Sequence, residues 1–174
     1  LIEKSGFRIP ETMITTDKDA VLEFKRQHTE LIYKSVSGHR SIVNRLGKNH
    51  QLYLDDIRWC PTQFQELIPG DDYRVHVVGT KVFASKILSH SVDYRYGISK
   101  YENAVIPDIL QQRCIKLAYQ LDLLFAGIDL RKTPDNDWYC FEVNPSPAYS
   151  CYECETEQAI SLAIVELLNS GPEN

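Results

Sequence analysis

The sequence predicts an α+β protein in which antiparallel hairpins alternate with helices. Two segments carry this prediction: residues 72–88 have the alternation of two strands around a tight turn at Gly79-Thr80, and residues 126–144 have the pattern of a second hairpin. Helical patterns lie on either side of the hairpins, and no strand–helix–strand unit recurs along the 174 residues. With 43% hydrophobic residues, the chain can bury the core of one domain or of two small lobes.

The first part of the chain combines short strands with one helix. Thr16 or Asp17 is placed to cap a helix over about 18–28, whose apolar stripe includes Val21 and Leu22. A polar, glycine-containing loop is expected at 35–41. Strands are expected at 31–35, 51–54 and 62–68, the last stopped by Pro69-Gly70.

The second part of the chain places its helices after the two hairpins. Residues 89–104 are expected to form a loop that carries several tyrosines. Pro107 suits the first turn of a helix over 107–125. Thr156 is expected to cap a final helix that runs to about residue 169 and ends at Gly171-Pro172.

Composition disfavours several classes of function. The chain has 19 basic and 24 acidic residues, so its net charge of −5 gives no basic field for nucleic acid. No apolar run is long enough to span a bilayer, so no membrane partner is expected. The sequence starts without an initiator Met and is expected to be a fragment of a longer protein.

The five cysteines indicate reduced thiols and a cytoplasmic location. Their number is odd and no secretory signal is visible. Cys151 and Cys154 form a single CxxC motif, but a structural zinc site needs four ligands and no second pair is spaced to complete it. Zinc or redox chemistry is therefore the minor alternative for this pair.

The second hairpin places two acids and an amide on one face. If its turn is centred on Asp135-Asn136, with a loop of two or four residues, Asp129 faces Glu142, Arg131 faces Cys140 and Gly127 faces Asn144. Two carboxylates directly opposite each other repel, so a cation is expected to offset them. Hard oxygen ligands of this kind suit Mg²⁺. The alternative is a solvated hairpin face that carries scattered acids.

Three other segments carry weaker signals for nucleotide binding. Lys34 lies near the end of an apolar strand that leads into the Ser/Gly loop, and this combination suits the binding of phosphate. The alternative is an ordinary lysine on an edge strand. The segment 65–74 follows a strand and can offer its backbone to an adenine edge, or it is an ordinary surface turn. Arg74 can hold a phosphate or carboxylate, or form a surface ion pair.

The order of these pieces resembles the ATP-grasp superfamily. The pieces are Lys34 with its loop, QELI, DYRVHVVGTKVFASKI, GIDLR and FEVNPSP, and together they cover nearly the whole chain. Within the superfamily the chain is most similar to the RimK-type peptide ligases, including the microviridin-type macrocyclases. The resemblance implies an ATP-grasp fold of two α+β lobes with antiparallel sheets that enclose a nucleotide cleft. The small lobe would cover about 1–68 and the large lobe 69–174. The N-terminal domain of the family and a further ATP lysine are expected to be missing, so this part is expected to be weak or inactive alone.

The resemblance also implies a role for each residue of a candidate site. ATP and Mg²⁺, with Mn²⁺ as an alternative ion, would be the cofactors. The metal ligands would be Asp129, Glu142 and Asn144, the residues that hold phosphate or acyl-phosphate would be Arg74 and Arg131, and the remaining nucleotide contacts would be Lys34, Gln65, Glu66, Leu67, Ile68 and Asp72.

The implied activity is ATP-dependent ligation of a carboxylate to an amine or hydroxyl through an acyl-phosphate. The expected partner is a peptide or an amino acid, and a homo-oligomer is compatible with the sequence. Two alternatives stay open. One is a non-catalytic ATP-grasp-like module that binds a peptide or nucleotide, and the other is kinase-like transfer that releases a stable phosphorylated product.

Overall fold

A computed structural model describes residues 1–36, 42–89 and 100–170. The described residues fall into two compact units: one contains Leu1–Ile9, Pro69–Leu88 and residues 100–170, and the other contains Pro10–Ile68. Each unit contains one antiparallel sheet together with helices, which confirms the predicted α+β class. Among the described residues, every helix is too short or too polar to cross a membrane. The assignment of 1–68 and 69–174 to the two ATP-grasp lobes stays a prediction.

The unit Pro10–Ile68 has a four-stranded sheet packed against an α-helix. Its elements are β1 (Thr12–Thr15), α1 (Lys18–Gln27), β2 (Leu31–Ser35), β3 (Asn44–Arg45) and β4 (Thr62–Glu66), and the strand order is β1-β4-β2-β3. As predicted, α1 begins after Asp17, whose Oδ1 accepts a hydrogen bond from the Asp19 N–H at 2.9 Å. Val21 of α1 packs with Leu31 and Phe64 in the core of this unit.

One strand prediction in this unit is wrong. Residues 51–54 lie in a 3-10 helix, Lys48–Trp59, which brings Leu54 into the core beside Val21. Four residues are too few to distinguish an alternating pattern from a helical one, so the signal there was ambiguous. The polar loop expected at 35–41 lies mostly outside the described residues, which resume at residue 42.

The other unit has a five-stranded sheet with helices on both faces. Its strands are β5 (Asp71–Val78), β6 (Lys81–Leu88), β7 (Lys100–Ala104), β8 (Phe125–Lys132) and β9 (Trp138–Asn144), in the order β7-β6-β5-β8-β9. Its helices are α2 (Asp108–Gln120), α3 (Ser150–Thr156) and α4 (Ile160–Ser170). Both predicted hairpins are confirmed. Leu110 and Leu117 of α2 pack with Val75, Ile128 and Leu130 of the sheet to form the core.

Two predictions in this unit need correction. The loop expected at 89–104 ends in strand β7, which extends the edge of the sheet beside β6; residues 90–99 lie outside the described residues. A half-exposed edge strand needs few apolar residues, so its sequence resembles a loop. Thr156 is the last residue of α3 and not a cap: its Oγ1 donates to the Tyr152 carbonyl at 2.6 Å. Glu157, with φ 56°, then ends α3 before α4 begins.

Candidate functional site

The β8–β9 hairpin brings the predicted acids and amide together. Asp129 pairs directly with Glu142, and Gly127 pairs with Asn144, as the sequence predicts. Cross-strand partners point to the same side of a sheet, so these three polar side chains share one face. The opposite face of the same strands carries Ile128 and Leu130, which are buried in the core.

The end of this hairpin differs from the prediction. The connection between the strands spans five residues, 133–137, and its turn is closed by the Asn136 N–H donating to the Thr133 carbonyl at 3.0 Å. Arg131 therefore pairs with Tyr139 and not with Cys140. Because the loop has an odd number of residues, the pairing next to the loop is shifted by one residue from the predicted register. A β-bulge next to Asp129 restores the predicted register beyond it. Because of this bulge, Asp129 pairs with Glu142 as predicted, although the predicted loop length was wrong.

Strand β5 adds two more charged residues to this face. Arg74 pairs with Asp129 and Asp72 pairs with Arg131 across the β5–β8 ladder. The Arg74 Nε lies 3.0 Å from the Asp129 Oδ1. The Arg131 Nε and Nη2 donate to the two Asp72 carboxylate oxygens at 2.6 and 2.8 Å, which is a bidentate ion pair. We call the six residues Asp72, Arg74, Asp129, Arg131, Glu142 and Asn144 the polar face.

Asp129 is the most electrostatically perturbed acid of the polar face. Burial raises the pKa of its carboxyl from 3.8 to about 7; Arg74 opposes this shift, while Glu142 adds to it by repulsion and by a side-chain hydrogen bond. Its side chain is only 15% exposed. An ionised Asp129 next to Glu142 is therefore unfavourable unless further positive charge is present.

Asn144 is held in place by the turn that follows β9. Its Oδ1 accepts a hydrogen bond from the Ser146 N–H at 2.9 Å, which fixes the orientation of the amide at the start of the Asn-Pro-Ser turn. An amide oxygen has two lone pairs, so it can accept this bond and still bind a cation.

The donor set of the polar face fits Mg²⁺. It provides two carboxylates in direct register and one neutral amide oxygen, and a cation there would offset both the burial and the repulsion by Glu142 that raise the pKa of Asp129. Among the described residues, no group of three or more His, Cys, Asp or Glu side chains is placed to hold a metal ion. A site of two carboxylates and one amide oxygen has only two ligands of these types and is compatible with that finding.

Asp72 forms an ion pair with another residue of the polar face. Its carboxylate is engaged by Arg131 in the bidentate pair, and Arg131 also lies over the Phe141 ring, with 5.1 Å from its Cζ to the ring centroid. Asp72 thus fixes the Arg131 guanidinium in this structure. A direct contact of Asp72 with the nucleotide stays a prediction.

The other predicted nucleotide contacts lie in the unit Pro10–Ile68. Lys34 pairs with Gln63 in the β2–β4 ladder, and Gln65 lies two residues further along β4. These side chains are on the sheet face opposite Tyr33 and Phe64, which pack with the core of this unit. Lys34 and Gln65 therefore share one face.

Two backbone N–H groups of the segment predicted to bind adenine, Gln65 to Ile68, already form hydrogen bonds within their own unit. The Glu66 N–H donates to the Glu11 carbonyl and the Leu67 N–H donates to the Glu30 carbonyl, both at 3.0 Å. The Glu66 carboxylate accepts from the Glu11 N–H at 3.0 Å and lies 3.6 Å from the His28 Nδ1. Recognition of adenine by this segment stays a prediction, and it would use backbone groups other than these two N–H groups.

Sequence reasoning missed three residues that surround the predicted ones. Phe141 lies under Arg131, Gly127 lies beside Arg74, and the buried Tyr152 of α3 contacts Arg74. Gly127 is part of the GIDLR motif, so a signal was present for it. Tyr152 had no such signal, because its position depends on how α3 packs against the sheet.

The structure thus brings together, on one face of an antiparallel sheet, the acids, the amide and the two arginines that the resemblance to the ATP-grasp superfamily singles out. Comparison with protein families agrees: residues 1–168 match the RimK-like ATP-grasp domain. The chain belongs to the RimK-like ATP-grasp family, and the resemblance seen in the sequence is confirmed.

Similar proteins of known identity include ligases of this family. The chain is 24% identical over 164 residues to the α-aminoadipate–LysW ligase LysX of Sulfurisphaera tokodaii, covering 86% of this chain and 58% of that protein. It is similar to the ATP-grasp ligase PsnB in complex with a minimal precursor, with 26% identity, a TM-score of 0.86, and coverage of 97% of this chain and 56% of PsnB. The macrocyclase MdnC, bound with precursor peptide MdnA from Microcystis aeruginosa MRC, shares the fold at 23% identity and a TM-score of 0.85, over 98% of this chain and 57% of MdnC. The chain thus spans little more than half the length of these relatives.

Proposed function

We propose that this chain is the C-terminal catalytic part of an ATP- and Mg²⁺-dependent ligase that joins a carboxylate to an amine or a hydroxyl through an acyl-phosphate. The observation that carries the proposal is the direct pairing of Asp129 with Glu142, beside Asn144, on a face that also holds Arg74 and Arg131. Two acids in such a pair are costly unless a cation is bound between them.

Asp129, Glu142 and Asn144 would hold the metal ion. A bound Mg²⁺ supplies positive charge that neutralises the phosphates of the nucleotide during transfer. Since Asp129 must be ionised to bind the ion, binding is coupled to loss of the proton that burial retains on it. PsnB has been solved in complex with Mg and ADP, which supports Mg²⁺ and a nucleotide as the proposed ligands of this chain.

Arg74 and Arg131 would stabilise the phosphoryl group during the reaction. In the proposed first step, an oxygen of the substrate carboxylate attacks the γ-phosphorus of ATP, the bond to the β-phosphate oxygen breaks, and ADP leaves. In the second, the amine or hydroxyl attacks the acyl carbon, loses its proton, and phosphate leaves. Both guanidiniums are held by carboxylates at fixed positions, which favours stabilisation by prearranged charge.

In the unit Pro10–Ile68, we assign nucleotide contacts to Lys34 and to the segment from Gln65 to Ile68. Lysine suits phosphate as a compact point charge. The segment would bind adenine through backbone groups, with the two N–H groups named above excluded. We assign Asp72 an indirect role in nucleotide binding, because its carboxylate fixes the Arg131 guanidinium.

The substrate class is proposed from the similar proteins. PsnB is known in complex with a precursor peptide and AMPPNP, and LysX is named for its action on α-aminoadipate. A peptide or an amino acid is therefore the proposed substrate.

All five cysteines are free thiols, in keeping with a proposed cytoplasmic location.

Hydroxylamine trapping tests the reaction class. Because the chain spans little more than half the length of its relatives, the assay uses the longer protein proposed to contain it, incubated with ATP, Mg²⁺, hydroxylamine and either α-aminoadipate or a peptide rich in Asp and Glu. The proposal expects a hydroxamate formed in equal amount to ADP, dependent on Mg²⁺ and absent in Glu142→Gln. A stable phosphorylated product would instead indicate kinase-like transfer, and nucleotide binding without ADP formation would indicate the non-catalytic module.

A further inference from the structure

The Arg74 guanidinium lies in a narrow slot on the polar face. Its side chain is 11% exposed, and its Nε is 3.0 Å from the Asp129 Oδ1. The Tyr152 ring of α3 forms another wall, with 5.8 Å between the Arg74 Cζ and the ring centroid. This distance is within the range in which a cation is attracted to an aromatic face.

Gly127 keeps the slot open. A Cβ added at Gly127 would lie 2.8 Å from the Arg74 Nη1 and 2.5 Å from the Cβ of Pro147. Both distances are shorter than real Cβ contacts, so a side chain here would force the guanidinium or the Asn-Pro-Ser-Pro turn to move. The absence of a side chain at residue 127 therefore lets Arg74 and Pro147 approach the same point of β8.

Tyr152 is held against the slot by contacts at several points of α3 and the turn after it. The Glu155 carboxylate of α3 accepts a hydrogen bond from the Tyr101 N–H of β7 at 3.0 Å. Gln158, just beyond α3, donates to the Ala84 carbonyl at 2.8 Å and to the Asn103 Oδ1 at 3.0 Å. Since both residues tie this segment to the sheet, the Tyr152 ring is fixed before any ligand binds.

Further ring contacts fix the tilt of Tyr152. Its centroid lies 4.2 Å from that of Tyr101 and 5.1 Å from that of His76, which is in an edge-on arrangement. His76 is itself fixed by a hydrogen bond between its Nε2 and the Ala148 carbonyl at 3.1 Å. The ring that faces Arg74 is thus packed on several sides.

We propose that Tyr152 is a positioning residue, which together with the open space at Gly127 fixes the orientation of the Arg74 guanidinium for contact with the transferred phosphoryl group. The proposal rests on the function assigned to Arg74 above. Tyr152 acts through its aromatic ring and not through its hydroxyl. Loss of the ring removes one wall of the slot, so that the guanidinium can rotate away from this orientation.

An NMR measurement tests the positioning without nucleotide. In the ¹⁵N-labelled chain, the Arg74 Nε–Hε signal is assigned by its loss in Arg74→Lys. A fixed aromatic neighbour should shift this proton and slow its exchange with water. We expect the signal to persist in Tyr152→Phe, to move or broaden in Tyr152→Leu, and to be unaffected in Tyr119→Leu, a matched change at a tyrosine that is 81% exposed.

Nucleotide affinity tests the consequence. The ratio of AMPPNP affinity to ADP affinity in Mg²⁺ measures the contribution of the γ-phosphate. We expect Tyr152→Leu to lower this ratio on the order of tenfold, Tyr152→Phe to keep it, and the double variant Arg74→Lys/Tyr152→Leu to be no worse than Arg74→Lys. Gly127→Ala should lower the ratio in the same way.

The outcomes separate this inference from the proposed function. If Arg74→Lys lowers the ratio and Tyr152→Leu does not, Tyr152 has no positioning role. If Tyr152→Phe behaves like Tyr152→Leu, the hydroxyl and not the ring is responsible, and the proposal is overturned. If Arg74→Lys leaves the ratio unchanged, the assignment of a phosphate contact to Arg74 is wrong. The NMR signal then still decides whether Tyr152 fixes the Arg74 guanidinium. An unshifted, rapidly exchanging Arg74 signal in the unmodified chain overturns the positioning even if Tyr152→Leu does not fold.

Discussion

Replacing Glu142 with glutamine should stabilise the metal-free protein, although Glu142 belongs to the proposed metal site. In the native chain Glu142 stands directly opposite Asp129 and adds to the repulsion that raises the pKa of Asp129 to about 7. Glutamine keeps the size and an oxygen acceptor but removes the charge. The Arg74–Asp129 ion pair at 3.0 Å is left in place, so no buried arginine loses its carboxylate.

The expected gain is small and depends on pH. A like-charged pair opposite each other in a sheet costs up to about 1 kcal/mol, which sets the size of the effect. The pKa of Asp129 is raised from 3.8 to about 7 on folding, so between these values the folded state keeps a proton that the unfolded state has lost. The contribution of Asp129 to metal-free stability therefore falls as pH rises through this window, and the full repulsion is present only above about pH 7.

Urea unfolding in EDTA at about pH 8.5 measures the gain. Glu142→Gln should raise the free energy of unfolding and should make the decline between pH 4 and 7 smaller. The matched control Glu166→Gln removes a carboxylate that is paired with Lys81, so it should lower stability slightly or leave it unchanged. A clear loss of stability in Glu142→Gln at pH 8.5 would refute the view that the two acids repel each other in the metal-free chain.

Three further predictions concern other parts of the chain. Burial lowers the pKa of His76 from 6.5 to about 4, so its contribution is full above pH 6.5 and is lost as pH falls towards 4. Because Asp129 acts in the opposite direction over the same pH range, the prediction is a difference between variants. When the pH is lowered from 7.5 to 4.5 in urea unfolding, the free energy of unfolding should change less favourably in the unmodified chain than in His76→Gln, by up to about 3 kcal/mol. Gly70→Ala should cost more than about 2 kcal/mol in the same assay, because φ is 146° and a Cβ would lie 2.1 Å from the Lys132 carbonyl oxygen. Gly79→Ala, with φ 58° and a nearest contact of 3.4 Å, should cost only about 1 kcal/mol. Lys34→Met should weaken AMPPNP binding roughly tenfold in calorimetry, whereas Lys25→Met on α1 should not; equal affinities would remove Lys34 from the site.

The pairing of Asp129 with Glu142 was predictable because strand periodicity alone places residues on a face. The same arithmetic failed at Arg131, since it assumed an even loop and the real connection has five residues. The β-bulge next to Asp129 returns the strands to the predicted register at the positions where the two acids lie. Sequence reasoning was therefore right about the face and wrong about the turn, because loop length depends on hydrogen bonds at Thr133 and Asn136 that alternation does not encode.

Features that depend on tertiary packing were not predictable. The bidentate hold of Asp72 on Arg131 requires β5 and β8 to be neighbours, although 59 positions separate the two residues in sequence. Tyr152 reaches Arg74 because α3 packs against the sheet, to which Glu155 is one of its connections. Strand β7 was missed because an exposed edge needs no apolar alternation. In each case the local sequence was compatible with several surroundings, and the packing of distant elements selected one.

The most direct test of the proposed site is calorimetric titration of the chain with AMPPNP, with and without Mg²⁺. The proposal predicts binding that depends on Mg²⁺ and that Glu142→Gln weakens at least about tenfold, as expected when one of two carboxylate ligands is lost. Glu166→Gln serves as the matched control and should bind as the unmodified chain does. Binding of equal strength without Mg²⁺, or in Glu142→Gln, would contradict the assignment of Asp129, Glu142 and Asn144 as metal ligands.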